Sequence, residues 1–163
     1  MKKVYIIIVS ILIIFQLAFI FYMSNMNANE SDTKSEGTLV TVLKAVNNFN
    51  YKLGLTKAKF TDEEYKVTSK VLNPIARKVM HFTEYFILAL LIIIDLYLIT
   101  GKKYIWLLLL TIGLCTIFAS LDEVHQLFIN GRSGSFKDVI VDTIGSIVGS
   151  LFYGTYYRVM KKQ

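Results

Sequence analysis

Four apolar segments constrain the fold of this chain more than any other feature of its sequence. A membrane-crossing helix needs about 20 mostly apolar residues, and the segments that approach this length are 4–23, 80–99, 104–121 and 139–157. The composition agrees, because 54% of the 163 residues are apolar, against roughly 45–50% in soluble domains. We therefore predict an all-α protein, an integral membrane four-helix bundle.

Basic residues next to the span ends predict how the bundle is oriented. They are Lys2, Lys3, Lys102, Lys103, Arg158, Lys161 and Lys162. Four spans place all of them on one side, and positive flanks favour the cytoplasm. We therefore predict cytoplasmic N- and C-termini in a bacterial plasma membrane. The net charge of +6 then indicates contact with anionic membrane lipids, and no nucleic acid partner.

The segment between the first two spans, residues 24–79, is predicted to lie outside the cytoplasm and to form two short helices. The polar stretch Ser24–Gly37 indicates a flexible exit from the membrane. Apolar residues recur at helical spacing over Leu39–Phe49 and predict the first short helix. Thr61 and Glu64 form a capping-box pattern that starts the second. That helix should end before Pro74, which would open the next helix and lead into the second span.

Each of the last three predicted spans carries a polar face at its outer end. Residues three or four apart share a helix face. The faces consist of Arg77, His81 and Glu84, then Asp122, His125 and Gln126, then Asp138 and Asp142. Lipid would penalise any such face that it touched. We therefore expect the three faces to meet, with Gly145 and Gly149 allowing close helix contact.

The turn between the third and fourth spans predicts two further features. Arg132 lies in this turn and would offer a bidentate contact to an anion. Ser135 and Asp138 form a second capping-box pattern, predicted to start the fourth helix. Asp95, about 16 Å along the helix from Glu84, should lie near the inner interface and face Lys102 or Lys103.

Together these motifs resemble the signature of the VanZ-like family, small bacterial membrane proteins named for one associated with teicoplanin resistance. The motifs are His81-Phe-x-Glu84-Tyr85, Asp122-Glu123-x-His125-Gln126-x-Phe128, Gly131-Arg132-x-Gly134, and Asp138 with Asp142-x-x-Gly145. The resemblance implies a single four-helix membrane domain over residues 1–163 and a role in antibiotic resistance at the cell envelope. It brings no established reaction, ligand or catalytic residue.

Three functions fit the polar faces. The first, which we predict, is recognition of an amphiphile at the outer membrane face, such as a lipid-linked wall precursor, a lipid headgroup or a glycopeptide antibiotic. Its candidate ligand-binding residues are Arg77, His81, Glu84, Asp122, Glu123, His125, Gln126, Arg132, Asp138 and Asp142. The second is a hydrolase or transferase acting on a phosphate-containing lipid. The third is a structural polar network without a ligand.

The enzyme alternative has its own candidate residues. Glu84 or Asp122 would act as the base, His125 as its acid–base partner and Arg132 as a clamp on phosphate. The sequence predicts no cofactor and no metal. Asp122-Glu123-Val-His125 lacks the two histidines, four residues apart, of a zinc-binding helix.

Overall fold

The computed structural model describes residues 2–56 and 60–160. Within these ranges the chain forms five helices and no strand: α1 Lys2–Ser24, α2 Ala28–Lys52, α3 Asp62–Thr100, α4 Tyr104–Gln126 and α5 Phe136–Met160. The all-α prediction is confirmed. Lys161 and Lys162, two of the cations used to predict orientation, lie outside the described residues, as does the side chain of Arg158.

Three of the described helices are long and apolar enough to cross a membrane: α1, α3 and α4. They cover the first three predicted spans, and α1 exposes most of its large apolar side chains, as a lipid-facing helix does. The fourth predicted span falls within α5, which has 25 residues and is not among the three. Asp142, Gly145, Ser146 and Ser150 make α5 less apolar, and all four residues are buried.

The residues cluster into two compact units. The membrane unit comprises 1–26 and 80–163, and the connecting unit comprises 27–79. The core of the membrane unit contains Tyr85, Leu88 and Ala89 of α3, packed with Cys115 and Ala119 of α4. These side chains mark the inward faces of α3 and α4, and van der Waals packing of this kind stabilises the association of helices in a membrane.

Helix α5 packs closely against α3 because two glycines leave room for backbone contact. A side chain on Gly145 would collide with the backbone carbonyl of Phe82, and one on Gly149 with that of Phe86. Small residues at this spacing permit close helix packing in membranes. The close approach predicted from the sequence is therefore present, and it brings Asp142 next to α3.

Helix α2 begins earlier in the connecting unit than the sequence predicted. The stretch Ser24–Gly37 was predicted to be flexible, but helix begins at Ala28 and continues to Lys52 over 25 residues. The Asn27 side chain accepts a hydrogen bond from the Glu30 amide at 2.9 Å, which satisfies one of the free donors at the helix start. This cap allows polar residues to enter the helix, so α2 is not a short helix.

Helix α3 begins where it was predicted to begin but does not end before Pro74. The predicted capping box is confirmed, since the Thr61 amide donates to Glu64 Oε2 at 2.7 Å and the Glu64 amide donates to Thr61 Oγ1 at 3.3 Å. The predicted break before Pro74 is wrong, because α3 runs through this proline. A proline removes one helical hydrogen bond and costs about 3 kcal/mol, which the rest of a 39-residue helix can offset.

Contacts between α2 and the first half of α3 also hold the helix around the proline. Lys44 pairs with Asp62 at 2.7 Å, and the Asn47 amide donates to the Tyr65 hydroxyl at 2.9 Å. Farther along, the Asn73 amide donates to Asp32 Oδ1 at 3.2 Å. The later part of α2, with Lys44 and Asn47, thus contacts the start of α3, and its early part, with Asp32, contacts α3 near Asn73, so the two segments form an antiparallel hairpin.

Candidate functional site

Three ionisable side chains from three helices meet inside the membrane unit. His81 of α3, Glu123 of α4 and Asp142 of α5 each direct one nitrogen or oxygen toward the others, and these atoms lie within 4.8 Å of one another. His81 Nδ1 is 3.4 Å from Asp142 Oδ1. Asp142 is fully buried and Glu123 is 5% exposed. We call these three residues the buried cluster.

The Glu123 carboxylate is held in place by two hydrogen bonds. The backbone amide of Ser135 donates to its Oε2 at 2.7 Å, and Gln126 Nε2 donates to its Oε1 at 3.4 Å. Gln126 also donates to Asp122 Oδ2 at 3.0 Å. The predicted helix start is confirmed, because α5 begins at Phe136, directly after Ser135. The predicted partner is not, because the carboxylate that accepts the Ser135 amide is that of Glu123 in α4 rather than that of Asp138.

Glu84 and Arg132 lie around the buried cluster. Glu84 interacts electrostatically with His81, Asp142, Asp122 and Arg132. Asp138 is partly buried and interacts in the same way with Glu123. The structure thus brings together most of the polar residues that the sequence placed on three helix faces.

Helix α1 also contributes to the site, which the sequence interpretation missed. Gln16 Nε2 donates to the backbone carbonyl of Glu84 at 3.2 Å. Arg132 Nη2 donates to the carbonyl of Met23 at 3.3 Å, where a cation complements the carbonyl end of a helix. Ser10 and Gln16 are the non-aromatic polar residues of an otherwise apolar span. Isolated polar residues of this kind could have indicated from the sequence that α1 contacts polar groups of other helices.

An apolar cavity of about 330 Å³ adjoins these polar residues. Leu17 and Phe21 of α1, Tyr85 of α3, and Phe118, Asp122 and His125 of α4 line it. The Phe21 and His125 rings are stacked with their centroids 4.8 Å apart. Ligand pockets usually have volumes of about 300–1,000 Å³ and apolar walls with a few polar groups, and this cavity fits that description.

Two predicted residues have different partners from those expected. Arg77 Nη1 contacts Asp32 Oδ1 at 3.4 Å within the connecting unit, because the α2–α3 hairpin places that acid within its reach. Asp95 was predicted to face Lys102 or Lys103. Instead Ser10 Oγ donates to Asp95 Oδ2 at 3.2 Å, and Asp95 is buried. Packing of α1 against α3 gives this acid a hydroxyl partner from another helix.

The family model described as VanZ/LLP1 matches residues 7–157. The chain belongs to the VanZ/LLP1 family. This match extends from α1 into α5 and includes the buried cluster and the cavity residues, so the resemblance inferred from the motifs is confirmed. No curated protein and no solved structure matches the chain. With the apolar helices α1, α3 and α4, family membership identifies a VanZ-like membrane protein.

Proposed function

We propose that this VanZ-like protein binds an amphiphile at the outer face of the bacterial plasma membrane. The observation that supports this most directly is the apolar cavity with Asp122 and His125 in its wall. The apolar walls would contact a hydrocarbon chain, and the two polar side chains would contact the part of the headgroup that is attached to it. The candidate ligands are a lipid-linked wall precursor, a phospholipid, or a glycopeptide antibiotic that carries an acyl chain.

The polar residues beside the cavity provide contacts of both signs. His125 and Arg132 would contact phosphate or carboxylate, since a guanidinium has five N–H donors. Glu84 and Asp122 would accept hydrogen bonds from sugar hydroxyls or amines. Binding of a wall precursor or of the antibiotic itself would change how the antibiotic engages the cell surface, and this is the proposed route to resistance.

The proposal is tested by measuring binding of a polyprenyl phosphate to the protein in lipid nanodiscs, with the uncharged polyprenol for comparison. His125→Ala should weaken binding of the phosphate about tenfold, which corresponds to about 1.4 kcal/mol. Val124→Ala is the matched control, because Val124 is 52% exposed on the neighbouring position of α4. Equal affinities for wild type and His125→Ala would contradict the proposal, as would equal binding of the alcohol.

We further propose that four helices cross the membrane, with both termini in the cytoplasm and the turn after α4 outside. Asn130 in that turn and Lys102 before α4 are both exposed. Asn130→Cys should react with an impermeant thiol reagent on intact cells, whereas Lys102→Cys should react only after lysis. Gly101 is unsuitable because its φ of 61° disfavours a side chain. The parent chain is the control, since Cys115 is buried. The reverse pattern would place the site on the cytoplasmic side.

A second candidate function is hydrolysis or transfer at a phosphate-containing lipid. The presence of Asp122 and His125 together in the cavity wall favours it, because carboxylates and imidazoles are common acid–base groups. Glu84 or Asp122 would be the base and His125 its partner. Purified protein should then release phosphate from a polyprenyl diphosphate, and Glu84→Gln should abolish the release. Binding without release by wild type would leave recognition as the function.

A further inference from the structure

We propose that the buried cluster, His81 with Glu123 and Asp142, binds a divalent transition-metal cation. Each residue supplies one ligand atom, each from a different helix, and these atoms lie within 4.8 Å of one another. No metal site was predicted from the sequence, because no single helix carries metal ligands at the expected spacing. Tertiary packing of α3, α4 and α5 creates this set instead.

Asp142 is the residue that indicates a ligand. It is fully buried, and neither of its carboxylate oxygens accepts a hydrogen bond from the described residues. His81 Nδ1 likewise has no hydrogen-bond partner among them. Buried polar groups are almost always satisfied. Protonation of His81 would serve only the Asp142 oxygen that lies 3.4 Å away, whereas a bound cation would satisfy the carboxylate and the imidazole together.

The spacing of the cluster suits a metal ion. Bonds of 2.0–2.2 Å in tetrahedral geometry place neighbouring ligand atoms about 3.4 Å apart, and His81 Nδ1 and Asp142 Oδ1 are separated by 3.4 Å. The three ligand atoms together lie within 4.8 Å of one another, so a bound ion would draw the carboxylate of Glu123 inward to complete the set. The Ser135 amide and Gln126 hold its carboxylate by hydrogen bonds, as second-layer groups commonly orient metal ligands.

The charges and donor types narrow the choice of ion. Two carboxylates and a neutral imidazole balance a divalent cation, so the loaded site has no net charge in a poorly solvated region. Imidazole favours zinc, iron and nickel, and carboxylates favour manganese and magnesium. The mixed set therefore points to Zn²⁺ or Mn²⁺. Three protein ligands leave a coordination position for a water or a ligand oxygen.

The test is direct metal binding by the full chain, purified in detergent without a polyhistidine tag and stripped with a chelator. Titration with Zn²⁺ and with Mn²⁺, followed by elemental analysis, should give about one bound ion per chain with at least one of the metals. The Tm should rise with the concentration of that metal, because an ion that binds only the folded state stabilises it. The result of this test does not depend on amphiphile recognition, because no polyprenyl probe is present in the titration.

Variants show whether the ion occupies the proposed place. His81→Ala and Asp142→Asn should each weaken metal binding by about tenfold or more. Asp95→Asn is the matched control, since it removes another buried carboxylate of the same unit, and it should bind as wild type does. If Asp142→Asn fails to fold, the near-isosteric Glu123→Gln should show the same loss. Wild type that binds neither metal, or metal binding unchanged in His81→Ala, would overturn the proposal.

Discussion

The two units of the molecule treat their acidic side chains in different ways. In the connecting unit, Asp32 pairs with Arg77 and Asp62 with Lys44, and these carboxylates are 44% and 81% exposed. In the membrane unit, Asp142 is fully buried and has a histidine rather than a lysine or arginine beside it. Exposed pairs keep most of their hydration and contribute little to stability. A carboxylate that is buried without a lysine or arginine beside it is not explained by an ion pair that stabilises the fold. A functional role is the alternative, and the functional proposals therefore concern the membrane unit.

The largest expected effect comes from separating the helices that form the buried cluster. Gly145→Leu should remove the protein from the membrane fraction, because any side chain there collides with the Phe82 backbone. Gly113→Leu is the matched control, since a Cβ added at Gly113 would meet no atom within 4 Å apart from the nearby backbone of its own helix. Membrane abundance measured by immunoblotting distinguishes the two. Normal accumulation of Gly145→Leu would contradict the close contact between α3 and α5.

A smaller effect is expected when a buried acid and an exposed acid are each replaced by alanine and the losses of stability are compared. Asp142→Ala should lower the free energy of unfolding by about 3 kcal/mol, because it leaves His81 without its partner in the interior. Asp32→Ala should lower it by about 1 kcal/mol or less. Unfolding in detergent, followed by circular dichroism, measures both. Similar losses would remove the distinction between the units. A destabilised Asp142→Ala protein that retains wild-type affinity for amphiphile and metal would indicate a structural network.

The smallest effect concerns Asp62, which lies in the polar first turn of α3, outside the apolar segment 80–99. Its hydrogen bond to Lys44, together with the lysine charge, holds the pKa of the carboxyl below its usual value of 3.8. Because the folded-state pKa is the lower one, the stabilisation is complete above pH 3.8 and is lost as the pH falls through the folded value. Lys44→Met should bring the pKa of Asp62 back toward 3.8, as measured by NMR titration. An unchanged titration would show that the pair is absent in solution.

Much of the fold could be predicted from periodicity and apolar length. Apolar segments of membrane-crossing length identified α1 and α4, and the capping pattern at Thr61 located the start of α3. The connecting unit was harder because local signals were outweighed by packing. Asn27 capped a helix in a stretch read as flexible, and α3 continued through Pro74, where contacts of Asp32 with Asn73 and Arg77 hold the helix on both sides of the proline.

The site could be predicted only as far as helix faces determine it. Spacing of three and four residues put His81 and Asp142 on inward faces. It did not place Glu123 on such a face, and it could not show that the ligand atoms of the three residues converge. That depends on the contacts of Gly145 and Gly149 with α3. The role of α1 was missed for a similar reason, since a single glutamine in an apolar span does not reveal which backbone carbonyl it will reach.

The carboxylate of Glu123 takes part in two sets of contacts. Its Oε2 accepts the amide of Ser135, one residue before α5 begins, while the side chain also belongs to the buried cluster. A ligand or proton that moves this carboxylate would therefore act on the hydrogen bond that holds the residue before the first turn of α5, and spectroscopic probes in the stretch from Arg132 to Ser135 are the natural way to detect occupancy of the cluster.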